Sequence, residues 1–557
     1  MKKKFVLLPL LCIPALTLTA CSDFLDMFYF GGNGIENGGY QSISAPPAGD
    51  DAPHYAPTEY TYASYIKNNC YPISSTPAVG QTKLLVIPVW FTDSTNFINI
   101  AKRDGVRDDI RKAYFGTEEE TGWRSVKSYY EEESHGKLTI NGVVANWYEC
   151  GESYTKYAID DQADSKGSVP KTRALLDRAM SRYFADNPGD DKKNYDCDED
   201  GYIDGIMLIY AAPDFQAMNS SSSTNLWAYC YWIQDKSVKK KNDPGVNAFF
   251  WASYDFMYGS ATVKSHTGSS YSNGDTSFSS VDAHTYIHEM GHMFGLVDYY
   301  DYTKQYDPAG GFSMQDSNIG GHDPFSSFAL GWGQAYVPTS STTINLKPFA
   351  TSGELIVLKP NPNSYSYSPF DEYLALEYYT PTGLNNFDAT HKYMSSEHKD
   401  YSMGSQIPGI RLWHIDARLL YPQTLTNGGH YTFNEDFVVT DPSFSNTYGV
   451  TLMMSNTYYK NGASELDYIS PLGRTYSDYN LLQLIRKSKS YNAKVPNKSA
   501  NAFSATSLFT MGDTFTMNDY QNQFENKGLF NTGLELGFAF EVNGCMEDFA
   551  SITITKL

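Results

Sequence analysis

Apolar residues recur along the chain at two periods, and the switch between them outlines the elements. Lys83-Leu-Leu-Val-Ile-Pro-Val-Trp-Phe91 is a nearly unbroken apolar run closed by Thr92-Asp93, which predicts a buried strand. Residues 102–115 and 123–134 read as helices, the second with Trp123, Val126, Tyr129 and Tyr130 on one stripe. Ser134-His-Gly136 breaks that helix, and Lys137 to Val144 then alternates as a strand. Pro170 opens a helix to about Ala185, where Leu175, Leu176, Ala179, Met180, Tyr183 and Phe184 form a broad apolar face. Ile206 to Tyr210 is a strand. Residues 213–250 read as loop-rich except for an aromatic strand at Trp227 to Trp232, expected in the core but able to line a cleft. A Ser- and Gly-rich stretch, 258–280, leads to helical spacing at Tyr286, Ile287, Met290, Met293, Phe294 and Leu296. Asp323-Pro324 starts a short helix that ends at Leu330-Gly-Trp332-Gly.

Beyond residue 340 the period shortens. Glu354-Leu-Ile-Val-Leu, Tyr373-Leu-Ala-Leu-Glu377, Gly409 to Asp416 and Ser551-Ile-Thr-Ile-Thr read as strands, with one helical pattern around Leu481 to Ile485. The chain is therefore expected to be α+β. A domain with a mixed sheet and a helix beside it, residues 81–340, precedes a β-rich region, 341–557, packed on it. No internal repeat is present.

The N-terminus changes this picture by adding export. Lys2, Lys3 and Lys4 precede an apolar run from Phe5 to Leu16, too short to span a bilayer. Leu18-Thr-Ala-Cys21-Ser resembles a bacterial lipobox, which implies a signal peptide over 1–20 and a lipid on Cys21. Residues 21–80, with Gly31, Gly32, Gly34, Gly38 and Gly39 and then Ala-Pro-Pro-Ala-Gly-Asp-Asp, read as a flexible tether or pro-segment. The expected location is the bacterial cell envelope, lipid-anchored to the outer membrane or cell surface.

Composition supports packed cores, with 41% hydrophobic and 15% aromatic residues. The net charge of −21, from 42 basic and 63 acidic residues, argues against nucleic acid and suits bound cations. Five cysteines follow Cys21, with no C-x-x-C, so at most two disulfides can form and cysteine ligation of zinc is not expected.

Chemistry concentrates in His284-Thr-Tyr-Ile-His288-Glu289-Met-Gly-His292-Met-Phe-Gly295-Leu-Val-Asp298. On a helix, His288 and His292 leave one face a turn apart and can share a zinc ion, with Glu289 beside them as general base. Gly295 is placed to end the helix, so the chain can turn back and present Asp298 as a third ligand. A third ligand from a downstream Glu is disfavoured, because none occurs between Glu289 and Glu354. His284, His322 and His414 read as structural, with His322 the first substitute should Asp298 not ligate. Tyr299, Tyr300 and Tyr302 are open choices for stabilising an oxyanion.

A second acidic segment is Asp196-Cys-Asp198-Glu-Asp200-Gly201-Tyr202-Ile-Asp204. Carboxylates at positions one, three, five and nine, with Gly at six and the Tyr202 carbonyl, match most of a calcium loop. Position twelve is Met207, and a strand follows, so an EF-hand is excluded and a calcium loop bracing the sheet is expected.

These residues resemble the immune inhibitor A-type metallopeptidases, bacterial zinc proteases of metzincin-like fold. The likeness lies in His288-Glu289-x-x-His292-x-x-Gly295-Leu-x-Asp298-x-Tyr-Asp301 and in Leu85 to Asp93. It continues through Ser125 to Leu138, Asp196 to Gly205, Gly331-Trp332 and Gly409 to Asp416. The resemblance spans roughly residues 80–420 and leaves 420–520 unassigned. It implies His288, His292 and Asp298 on zinc, Glu289 as base, Met314 of Gly311-Phe-Ser-Met314 as the Met-turn floor, and protein or peptide substrates. Val297 stands where the family pattern has Pro. The alternative is a surface-displayed protein- or glycan-binding lipoprotein with a secondary or inert peptidase domain.

Overall fold

The computed structural model describes residues 75–157, 168–213, 226, 228–233, 236–258, 281–301, 308–310, 312–318, 320–360, 368–390, 405–420, 451–452, 454–456, 479–491 and 508–557. The expected signal peptide, the Cys21 lipid site, nearly all of the tether, Trp227 and Tyr302 lie outside these residues.

The first sheet is built from β1 (Gly80–Trp90), β2 (Leu138–Val144), β3 (Tyr148–Glu149), β5 (Gly205–Tyr210), β6 (Tyr229–Trp232) and β8 (Ala248–Ser253), in the order β2-β1-β5-β8-β6 with β3 also on β1. β4 (Tyr202–Ile203) and β7 (Gly245–Val246) form a separate two-stranded parallel pair. All neighbours in the main sheet are parallel except β6, which runs antiparallel on β8 and forms one edge.

Alternation along the central strands assigns each residue to one of two cores. Leu84, Val86 and Trp90 of β1 face one core, while Leu85, Ile87 and Val89 face the other. The second core is closed by helix α4 (Ser168–Asp186) through Leu175, Leu176, Ala179 and Met180. The first is closed by α1 (Arg103–Phe115), α3 (Val126–Glu133) and α5 (His284–Met293), with the short α2 (Glu118–Thr121) between α1 and α3. Each fully buried Leu, Ile or Val on such a strand contributes about 1.5–3 kcal/mol.

The Leu84-rich core does not stop at residue 340. After α6 (Met314–Ser317) and α7 (Pro324–Ala329), β9 (Gln334–Tyr336) enters a second sheet, ordered β16-β13-β12-β11-β9. Its other strands are β11 (Glu354–Leu358), β12 (Glu372–Tyr379), β13 (Gly409–Asp416) and β16 (Leu482–Ile485). One face of this sheet, with Leu355, Val357, Tyr373, Ala375, Trp413, Ile415, Leu482 and Leu484, joins the core of α3 and α5. The opposite face, with Ile356, Leu374, Leu376 and Leu412, packs on a third sheet. That sheet is antiparallel, β10-β19-β18-β17, from Thr342–Leu346 (β10), Thr514–Thr516 (β17), Phe538–Cys545 (β18) and Ala550–Lys556 (β19). A two-stranded ladder, β14 (Leu419–Leu420) with β15 (Thr451–Leu452), completes the strands. This arrangement of sheets with few helices is compatible with the expected α+β peptidase architecture, and one core runs across residue 340.

Two expectations are corrected. The stretch Leu481 to Ile485 contains strand β16 (Leu482–Ile485) rather than a helix; Leu482 and Leu484 face one core and Ile485 the other, and a segment this short carries no usable period. Residues 248–250, placed in the loop-rich stretch, begin strand β8, fully buried near the sheet centre. A central parallel strand reads as a short continuous apolar run for the same reason.

Cys150, Cys197, Cys230 and Cys545 are free thiols, so no disulfide forms among the described residues. Among these residues no helix is long and apolar enough to cross a membrane.

Candidate active site

Helix α5 enters the core between the first sheet and α3, and Tyr286 through Met293 are all buried. Two neighbours hold it. Tyr130 on α3 donates its hydroxyl to the Ile287 carbonyl at 2.6 Å. Tyr286 reaches the Ser253 carbonyl at the end of β8, 2.7 Å away. His284 stands at the helix start, bonded to Asp282 (2.7 Å) and stacked on Trp123 at 4.1 Å between ring centroids. That is the structural role expected of it.

The helix ends as its sequence requires. Gly295 has φ +99°, the Leu296 amide donates to the Gly291 carbonyl, and the Gly295 amide donates to the His292 carbonyl. The turned chain then does two things. The Leu296 carbonyl accepts from Nδ1 of His292 at 2.9 Å, and Asp298 swings back over the helix. Its Oδ1 lies 2.9 Å from Nε2 of His288 and 3.3 Å from Nε2 of His292.

The Met314 segment completes the arrangement from below. Ser313 adopts φ +100° and caps α6 by accepting from the Gln315 amide, while its hydroxyl donates to Asp323. The Met314 carbonyl accepts from Nδ1 of His288 at 2.8 Å. Gln315 packs so tightly on α5 that a Cβ at position 291 would collide with its carboxamide, so a side chain there would have to displace Gln315.

These contacts decide the tautomers. A carbonyl only accepts, so both Nδ1 atoms carry protons and neutral imidazoles present lone pairs at Nε2. Two lone pairs and a carboxylate oxygen then converge on one point, which is unfavourable unless a cation or an added proton is shared there. The donor set suits a metal ion, with a carboxylate oxygen of Glu289 within 4.8 Å of the histidine ligand atoms. Without a metal a proton must serve. Burial alone would lower His292, but the Asp298 carboxylate outweighs it and lifts the imidazole to about 9. Burial likewise raises the Asp298 carboxyl, yet His292 and the bond to His288 hold it far below the usual carboxylate range.

Residues 75–322 match the family model for the immune inhibitor A peptidase M6 catalytic domain. Over this segment the chain is similar to the immune inhibitor A-type peptidases. Relatives of this M6 domain include the pre-pro-metalloprotease PrtV of Vibrio cholerae serotype O1, 26% identical over 243 residues, covering 39% of this chain and 24% of that protein. Immune inhibitor A of Bacillus thuringiensis subsp. alesti is 24% identical over 267 residues, covering 42% of this chain and 36% of its own length. The chain thus spans between a quarter and rather more than a third of these relatives. Metallopeptidase similarity implies a bound metal; here His288, Glu289 and His292 bring ligand atoms within 4.8 Å of one another, and Asp298 Oδ1 lies beside both imidazoles.

Two histidines read as structural lie apart from this group. Burial pushes His322 down to about 3, and its Nε2 lies 3.4 Å from the Tyr130 hydroxyl within a cluster of Tyr129, Tyr130 and Trp332. Further along the chain, His414 on β13 pairs with Glu372 at 2.9 Å. Of the tyrosines weighed for an oxyanion, Tyr299 is fully buried with its hydroxyl 2.8 Å from Ser326 Oγ, which commits it to the core. Strand β6 does line the site: its residues are half-buried, and Trp232 meets His292 edge-on at 6.5 Å.

The acidic loop is assembled only in part. Asp196, Asp198 and Asp204 each bring an oxygen within 4.8 Å of the others. Asp200 is not in that group; its Oδ1 accepts from the Tyr202 amide at 2.8 Å. Asp204 also accepts from the Cys197 and Lys83 amides, which ties the loop to β1.

Residues that sequence reading passed over act by positioning. Tyr130 holds the helix from 157 residues away, Gln315 packs against Gly291, and Ser313 with Asp323 holds the Met314 segment. Only Asp323, three residues before Ser326 and just ahead of Pro324, carried a local signal, that of a helix N-cap.

Proposed function

We propose that this protein is a zinc-dependent endopeptidase of metzincin-like fold, lipid-anchored through Cys21 in the bacterial envelope and acting on extracellular proteins or peptides. The observation that carries the reading is the convergence of both Nε2 atoms on Asp298 Oδ1 with both Nδ1 protons already committed to carbonyls. His288, His292 and Asp298 would hold the ion, and the Met314 carbonyl under His288 supports the Met-turn reading. A bound zinc ion supplies Lewis acidity toward a carbonyl and toward water.

The chain's own residues do the rest. Glu289, held in the buried helix beside both histidines, takes the proton of the attacking water on a carboxylate oxygen and returns it to the leaving amine. The carbonyls of Met314 and Leu296 keep each imidazole in the orientation that leaves Nε2 free to ligate. The half-buried strand β6 forms one wall beside the ligands. For the acidic loop, the calcium reading now rests on Asp196, Asp198 and Asp204, with Asp200 shaping the turn.

The test uses the mature chain and denatured casein, with and without a zinc chelator, beside Glu289→Ala. Cleavage should disappear with the chelator, return on adding zinc, and be absent in the variant. A zinc-loaded wild type that cuts no protein or peptide would defeat the peptidase reading and favour the binding-lipoprotein alternative.

A further inference from the structure

The segment that carries Asp298 is held by residues far outside the stretch that matches the peptidase family. Tyr299, the next residue, is gripped from two sides. Its amide donates to the Gln315 carbonyl at 2.9 Å. Its carbonyl accepts from Nδ2 of Asn456 at 2.5 Å. The other Nδ2 proton of Asn456 goes to the Leu482 carbonyl at 2.8 Å, and its Oδ1 accepts from the Leu482 amide at 2.9 Å. The carboxamide therefore pairs with β16 as a neighbouring strand would and passes that pairing on to Tyr299.

Asn456 is 1% exposed, so water cannot easily replace these bonds. A second tie lies further along. The Leu484 amide donates to the Pro308 carbonyl at 2.8 Å, and a Cβ on Gly310 would lie 2.8 Å from Leu484 Cδ2. Strand β16 thus anchors the chain both just after Asp298 and again before Met314. The two histidines share a rigid helix, but Asp298 sits on a turn, and its place depends on what holds the residue after it.

We infer that Asn456 is a positioning residue for Asp298, and that the C-terminal sheet, through Asn456 and β16, sets the metal affinity of the peptidase site. The inference rests on the zinc reading above. It makes the M6 segment dependent on residues near 456 and 482 for a properly formed third ligand.

The experiment measures zinc affinity of the full mature chain by competition with a chromophoric chelator, and the visible absorption of the cobalt(II)-loaded protein, which reports ligand geometry. The variants are Asn456→Ala and Asn456→Ser, so that one folded protein suffices. The control is Gln523→Ala. Gln523 is also buried and makes three side-chain bonds to the backbone just after β16, at Arg486 and Ser488, away from Tyr299. Loss of an outer support should weaken zinc about 10- to 100-fold in the Asn456 variants and alter the cobalt spectrum. Gln523→Ala should lower the melting temperature while leaving both readouts near wild type. A folded Asn456 variant with zinc affinity within about two-fold of wild type and an unchanged spectrum overturns the inference alone. Equal weakening in Gln523→Ala also overturns it, since the effect would then be general stability. A wild type that binds no zinc removes the zinc reading itself, and this inference with it.

Discussion

The Met314 carbonyl accepts the Nδ1 proton of His288 across a separation of 26 residues, at 2.8 Å. This bond fixes which nitrogen of His288 faces Asp298. It also makes the geometry of the proposed metal site depend on how closely the Met314 segment approaches α5. Gly291 controls that approach, because Gln315 fills the space where its side chain would be.

Gly291→Ala is therefore expected to push Gln315 and the Met314 carbonyl outward. Gln315 is fully buried and has little room to swing aside. Overpacking of this kind costs about 1–3 kcal/mol, and zinc affinity should fall with it. Adding Gln315→Ala should recover much of the loss. Thermal melts and zinc competition check both steps; a double variant no better than the single would show that Gln315 is not the obstacle.

Asp298→Ala should leave two histidines and sharply reduce bound zinc, read by elemental analysis after dialysis. His322→Ala should retain the metal, since His322 lies in the aromatic cluster with Tyr130 and Trp332. The reverse pattern would make His322 the third ligand.

Acid should destabilise the fold in part through His135, between α3 and β2. Burial pushes its imidazole down to about 4, with Lys137 adding repulsion. Its folded value lies below the unfolded one, so the unfolded chain binds the proton first. The contribution is complete above pH 6.5 and is lost as pH falls toward 4. His135 is partly exposed, so roughly 1–2 kcal/mol is expected rather than the full shift. His135→Asn, which suits its φ of +53°, should flatten the stability profile in that window, as followed by urea denaturation. An unaltered slope would assign the acid limb to other groups.

At the acidic loop, calcium should raise the melting temperature of wild type. Asp198→Ala should abolish that increment, while Asp200→Ala should keep most of it, because Asp200 bonds the Tyr202 amide instead of joining Asp196 and Asp204. Equal loss in both variants would return Asp200 to the ligand set.

Most of the first sheet and the α5 site could be read locally. Lys83 to Phe91, Leu138 to Val144 and the helix stop at Gly295 each carry their own signal in a few adjacent residues. Elements buried on both faces were harder. β8 is a continuous apolar run closed by Ser253, and β16 is only four residues, Leu-Gln-Leu-Ile, too short for either a period of 2 or one of 3.6 to show. The split within the acidic loop was also hidden, since alternation alone does not say which carboxylate bonds a nearby amide.

By itself, the order of residues from His288 to Asp298 determined which side chains are proposed to react, because helical spacing and a glycine stop are local consequences of backbone geometry. Tertiary structure decided how that set is held. Tyr130, Met314 and Asn456 reach it across 26 to more than 150 residues, and their bonds exist only once the sheets have closed around α5. The physical reason is that a buried polar group must find a partner wherever packing brings one, and no local pattern records that choice.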